Sequence, residues 1–222
     1  MQIISRNIKS FVLRNGKITS GQLNAIEKLK NIYCIDYQIS KINFNDIFSR
    51  NNQKIIEIGF GMGKATSYLA LQNPHMDYIG VEVHSPGVGS LLMEIEKLKI
   101  SNLKIIQHDV TEVLSNMVSD DSINGFHIFC PDPWPKKKHH KRRLINQDFI
   151  TLLVKKLVLN GYIYITTDWE HYAEQIEKIL SHENSLIKSS SYLDKHNKPV
   201  TKFEQKGLDC NRKICEFIFK KV

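Results

Sequence analysis

The run Ile55-Ile56-Glu57-Ile58-Gly59-Phe60-Gly61-Met62-Gly63 places a carboxylate two positions before the first of three alternating glycines. Glycines so spaced, between a strand and a helix, let the backbone pass close to a ligand, because none carries a Cβ and each tolerates a positive φ. A nicotinamide cofactor would require GxGxxG, with its pyrophosphate on the helix N-terminus. Lys64 stands where the last of those glycines belongs, so that fingerprint fails. A carboxylate at Glu57 repels a pyrophosphate and suits the ammonium of a methionine moiety. Glu82, near the end of a second apolar run in GVEVH, can accept both hydroxyls of a ribose. Asp109, in IIQHDV, can face an adenine amino group. Each acid alone reads as a solvated strand end. Together, at the ends of three consecutive strands beside a glycine turn, they read as a site for S-adenosylmethionine.

A fourth apolar run leads into Cys130-Pro131-Asp132-Pro133-Trp134-Pro135-Lys136. Three prolines in five residues make a rigid, non-helical loop that would hold Asp132 beside the methyl donor. A basic run follows, Lys136-Lys137-Lys138-His139-His140-Lys141-Arg142-Arg143. Such runs are usually solvated loops, and a nuclear-localisation signal is a second ordinary reading. This one leaves the sheet edge that carries the cofactor acids, where its cations would draw in a phosphate backbone.

These residues must be positioned by alternating strands and helices. Candidate strands are Lys54–Ile58, Tyr78–Val83, Leu103–His108, Gly125–Phe129 and Gly161–Thr166, with amphipathic stretches at Thr66–Leu71, Val88–Leu98 and Phe149–Leu159. Alternation of this kind predicts an α/β fold built on a parallel sheet. A helix over Trp169–Leu180 and two strand-like runs, Ser185–Leu193 and Ile214–Lys220, complete the pattern. The two runs are separated by a polar stretch read as a loop, so antiparallel pairing is expected there. The outline is a Rossmann-like, seven-stranded, mostly parallel sheet with one antiparallel strand and helices on both faces. Residues 1–50 read as a basic tail (Arg6, Lys9, Arg14, Lys17) and a helical extension over Gly21–Leu29, and residues 51–222 as the catalytic domain.

The chain has 222 residues and a net charge of +8, a bias that favours a polyanionic partner. Cys34, Cys130, Cys210 and Cys215 form no CxxC and have no partner histidine at zinc spacing, so reduced thiols and no metal are expected. The N-terminus lacks the continuous apolar core of a secretory signal, and no run approaches the roughly 20 apolar residues of a membrane span. A cytoplasmic monomer or homodimer is expected.

The chain resembles the tRNA (guanine-N7-)-methyltransferases over nearly its whole length. The resemblance rests on SFVLR (Ser10–Arg14), EIGFGMG (Glu57–Gly63), GVEVHSPGVG (Gly80–Gly89), PDPWPKKKHHKRR (Pro131–Arg143), TDWEHYA (Thr167–Ala173) and TKFEQKG (Thr201–Gly207). It implies methylation of N7 of the guanine at position 46, in the variable loop of tRNA, with S-adenosylmethionine as donor. It further implies that Glu57, Glu82, Asp109 and Asp132 line the cofactor site, with Asp132 catalytic. Lys136, Asp168, Thr201, Lys202, Phe203 and Glu204 would contact substrate, and Lys138, His139, His140, Lys141, Arg142 and Arg143 would touch RNA. Glu204 can accept hydrogen bonds from the imino and amino groups of guanine, a donor pattern adenine does not offer. Lys64 is a departure, standing where the family has a small or acidic residue. An exocyclic-amine methyltransferase fits less well, because Trp134 directly follows Asp132-Pro133 where such enzymes resemble one another in a second proline. A non-catalytic RNA-binding subunit on the same fold is the alternative from another class.

Overall fold

The computed structural model describes residues 9–12, 16–189 and 198–222. The expected tail cations Arg6 and Arg14, and residues 190–193 of the expected strand Ser185–Leu193, lie outside the described residues. Five strands run parallel: β1 (Gln53–Ile58), β2 (Met76–Glu82), β3 (Leu103–Gln107), β4 (Ile123–Phe129) and β5 (Leu157–Thr167). Two more follow, β6 (Leu186–Lys188) and β7 (Cys215–Lys221), in a single sheet of order β3-β2-β1-β4-β5-β7-β6. β7 is antiparallel to both β5 and β6 and is inserted between them. The strand order reverses between β1 and β4, which opens a crevice at the strands' C-terminal ends.

Helices cover both faces. On one lie α1 (Ser20–Tyr33), α3 (Lys64–Gln72) and α4 (Ser85–Leu98), where Ala25, Leu69, Leu91, Leu92 and Ile95 are buried. On the other lie α2 (Phe44–Phe48), α5 (Val110–Asn116), α6 (Gln147–Lys156) and α7 (Glu170–His182), burying Phe44, Val113, Leu114, Phe149, Leu153, Tyr172 and Ile176. Cover on both faces explains why β1 and β2 read as continuous apolar runs rather than alternating ones. None of the described helices is long and apolar enough to cross a membrane.

The structure departs from the expected elements at the end of α6 and in the stretch before β7. The helix expected over Phe149–Leu159 ends at Lys156, and Leu157 already pairs with Ile123 as the first residue of β5. An apolar residue at such a junction satisfies both periodicities, so spacing alone cannot place the change. The polar stretch before the last strand is not a loop. Lys202–Asp209 forms a helix, α8, started by a capping box in which Thr201 and Glu204 satisfy each other's backbone N–H groups.

The bases of β1 and β2 are tied by a buried charge cluster. Asp77 is fully buried, accepts from Arg50 Nε at 2.6 Å and lies 3.2 Å from the buried Lys54 ammonium. Removing the carboxylate leaves Lys54 buried without its counter-ion. Asp77→Ala should therefore cost about 3–5 kcal/mol in urea unfolding, and Lys54→Met added to it should recover part of the loss. A change under about 0.5 kcal/mol would show the pair to be dispensable.

Candidate active site

One cavity, of about 550 Å³, opens at the C-terminal edge of the sheet, a volume suited to a small-molecule cofactor. Ile58 and Gly59 bring β1 to it, Glu82 and Val83 β2, His108 and Asp109 β3, Cys130–Pro135 β4, and Asp168 and Trp169 β5. Its floor is the glycine turn. Gly59, Gly61 and Gly63 all take positive φ (71°, 57° and 75°), the region that favours glycine. Gly61 N donates to Glu82 Oε2 at 2.9 Å, while Glu82 Oε1 accepts from Val83 N and His84 N at 2.7 and 3.1 Å. The acid read as a ribose acceptor thus also braces the turn, with lone pairs left over for hydroxyl donors. α4 presses from the other side: Ser90 Oγ donates to Met62 O at 2.9 Å, and Gly87 meets the carbonyl of Gly61 directly.

The other acids differ in exposure. Asp109 lines the cavity and N-caps α5 through Thr111 N at 3.0 Å. Glu57 does not reach the cavity wall. It is 2% exposed, its Oε2 has no hydrogen-bond partner among the described residues, and burial pushes its carboxyl up to about 8. A buried carboxylate short of a donor, beside a glycine turn, fits an arriving ammonium, which would favour its charged form.

Beyond the end of β4, Asp132 lines the cavity, is exposed, and makes no hydrogen bond or ion pair with the described residues. Trp134 stands behind it at φ 44°, its indole donating to Ser10 O at 3.0 Å, so that Ser10, Phe11 and Val12 form part of the wall. Asp168 pairs with Arg212 at 3.2 Å. Phe203 is 60% exposed and faces the same space. Both tryptophans of the chain, Trp134 and Trp169, line this one cavity. Burial pushes the Cys130 thiol up to about 11, leaving no thiolate nucleophile at neutral pH.

The cavity does not gather every expected residue. Gly63 starts α3, and Lys136, Thr201, Lys202 and Glu204 lie off the wall. Glu204 is turned inward at 2% exposure, with both oxygens on Lys198 Nζ (2.7 and 2.6 Å) and one accepting from Thr201 N. Burial alone would raise its carboxyl, but Lys198 and the Thr201 N–H outweigh this and hold it below the usual range. In the basic run, Lys137–Arg142 forms a 3-10 helix on which Lys138 and Lys141 are exposed, while His139 and Arg142 rest on the Trp134 ring. Arg143 points the other way and is 2% exposed, which removes it from any RNA-facing surface in this structure. Sequence reading missed Arg212 and Lys206, both in the cavity lining. Nothing distinguishes Arg212 in a chain rich in scattered cations, whereas Lys206 lies within TKFEQKG, two residues after Glu204.

A family model described as "Putative methyltransferase" matches residues 51–217. Similar curated proteins include the tRNA (guanine-N(7)-)-methyltransferase of Nitrosospira multiformis, 45% identical over 97% of this chain and 95% of that protein. The enzyme of the same name from Nitrosomonas eutropha is 46% identical over 97% of each chain. Among solved structures, the 16S rRNA methyltransferase KamB superposes with a TM-score of 0.59 at 10% identity, covering 84% of this chain and 95% of that one. The aminoglycoside-resistance methyltransferase NpmB1 gives 0.55 at 11%, with the same coverage. At such identities these two structures speak to the fold alone.

Two measurements test the site. Ionised Glu57 is disfavoured in the folded chain, so the stability it contributes is full below the usual carboxylate range and lost as pH rises through about 8. Between about pH 5 and pH 8 the wild type should lose stability relative to Glu57→Gln, which cannot ionise; parallel urea-unfolding curves across that range would overturn the burial argument. A Cβ at Gly87 would lie 2.1 Å from Gly61 O, a backbone atom that yields only if the turn moves. Gly87→Ala should weaken S-adenosylmethionine binding at least about tenfold by calorimetry while the protein stays folded. Unchanged affinity would mean that α4 does not set the turn.

Proposed function

The chain belongs to the tRNA (guanine-N(7)-)-methyltransferase family, and on that premise we propose that it transfers the methyl group of S-adenosylmethionine to N7 of guanine 46 in the tRNA variable loop. The observation that carries this reading is the convergence of Asp132, Asp168, Trp134, Trp169 and Phe203 on a cavity floored by the glycine turn, beside an exposed basic helix.

S-adenosylmethionine, when bound, supplies an electrophilic methyl group on a sulfonium. Gly59 and Gly61 would admit it past the end of β1, Glu82 and Asp109 would accept its hydroxyl and amino hydrogens, and Glu57 would compensate its ammonium. Guanine N7 offers a bare lone pair on the major-groove edge and has no proton to remove, so the site needs no strong base. Its task is alignment, and Phe11, Trp134, Trp169 and Phe203 around the cavity offer flat surfaces for a base turned out of its stack. As the purine gains positive charge, the unpaired carboxylate of Asp132 stabilises it, an electrostatic role set by the rigid loop. Lys138 and Lys141 on the 3-10 helix meet the RNA backbone. Glu204 is committed to Lys198, so reading the guanine amino and imino groups would require breaking that pair. Asp168 already lines the cavity, and with Arg212 on its Oδ2 alone it takes that role here through its other oxygen. Residues 51–222 carry this chemistry, residues 1–50 extend it, and the enzyme works in the cytoplasm.

The decisive experiment incubates the protein with methyl-labelled cofactor and bulk tRNA, then digests the RNA to nucleosides. The label is expected in 7-methylguanosine, with none incorporated into a transcript carrying adenine at position 46. Label in any other nucleoside would replace this reading.

A further inference from the structure

Arg143 closes the basic run, yet it is the largest fully buried side chain among the described residues. No carboxylate pairs with it among the described residues. Its Nε donates to the carbonyl of Pro133 at 2.8 Å. Its Nη1 donates to Gln175 Oε1 at 2.6 Å and to His171 Nδ1 at 3.1 Å, one turn apart on α7. A guanidinium has no acceptor, so His171 must carry its proton on Nε2. The guanidinium carbon stacks 4.7 Å from the Tyr172 ring. Burying a cation without a counter-charge is costly, and an apolar side chain would fill the space more cheaply. What a guanidinium adds is reach: one rigid, planar fork bridges two elements at once.

The loop it holds has little else. Among the described residues, 131–135 make no backbone–backbone hydrogen bond, and three of the five are prolines without an N–H to donate. Asp132 has no side-chain partner among the described residues, so its carboxylate goes where the backbone carries it. The carbonyl that Arg143 grips belongs to the very next residue.

We propose that Arg143 is a positioning residue: it clamps Pro133 to α7 and thereby holds Asp132 at the reacting end of the cavity. This rests on Asp132 being the carboxylate that serves methyl transfer. It also separates Arg143 from Lys138 and Lys141, its neighbours in the run, which face solvent.

The test combines Arg143→Lys with Asp132→Asn, singly and together, in the full chain with tRNA. Lysine keeps the charge but has a single nitrogen and cannot span both sides. Arg143→Lys should lower kcat at least about tenfold, leave KM for tRNA within about threefold, and leave unchanged the slope of log tRNA affinity against log salt. The double variant should be no slower than Asp132→Asn alone, because both changes remove the same placed carboxylate. Multiplicative losses would mean that Arg143 acts by another route and would overturn the proposal. A slope flattened by about one unit would make it an RNA contact instead. If Arg143→Lys is fully active while Asp132→Asn is impaired, only the clamp fails; if Asp132→Asn is itself fully active, the role of Asp132 fails and the clamp with it. Should Arg143→Lys not fold, Gln175→Ala removes the shorter of the two α7 contacts, outside the cavity, and takes its place in the same cycle, with the same outcomes.

Discussion

Gly61 and Gly87 meet backbone to backbone, with no side chain between them, and the cofactor site is built outward from that contact. Neither position tolerates a Cβ cheaply, Gly61 because of its positive φ and Gly87 because of the carbonyl facing it. Packed this tightly, α4 fixes the height of the turn at the end of β1, and Ser90 pins the next carbonyl along. Glu82 then locks the turn from the neighbouring strand. The floor of the cavity is therefore set by three elements, the turn after β1, α4 and the end of β2.

Above that floor acids outnumber cations on the wall. The cavity wall carries Glu82, Asp109, Asp132 and Asp168 against Lys206 and the Asp168-paired Arg212, while the exposed cations of the 3-10 helix stand outside it. The separation suits a reaction in which a cationic methyl donor must be held and a polyanion drawn to the mouth. Fixed carboxylates that face a developing positive charge need no reorganisation when it appears. The proline loop serves the same end: it trades its own hydrogen bonds for rigidity and is held from outside, by Arg143 below and by the Ser10 carbonyl on Trp134.

Much of the sheet was legible in the sequence, because strands covered on both faces must be apolar throughout and β1 to β5 are bounded by turn residues. The end of α6 was not, since an apolar residue there serves helix and strand equally. α8 was hidden because its eight residues are short and polar, and only the Thr201–Glu204 capping box marks it. The same box decided the fate of Glu204: a carboxylate that caps its own helix and pairs with Lys198 is turned inward, away from the cavity.

Local spacing determined the kind of site. The strand, Glu57 and the three glycines are consecutive in one stretch of chain through one turn, so their order is written in the residues themselves. Tertiary structure decided which of the charged residues are free to act. Arg142 and Arg143 are adjacent and alike in sequence, yet one rests on Trp134 at the surface and the other is buried against α7. Arg212 and Lys206 come from beyond β6 to the wall of a cavity that begins at β1. Side-chain direction and long-range approach depend on every packed neighbour at once, and no short stretch of residues encodes that.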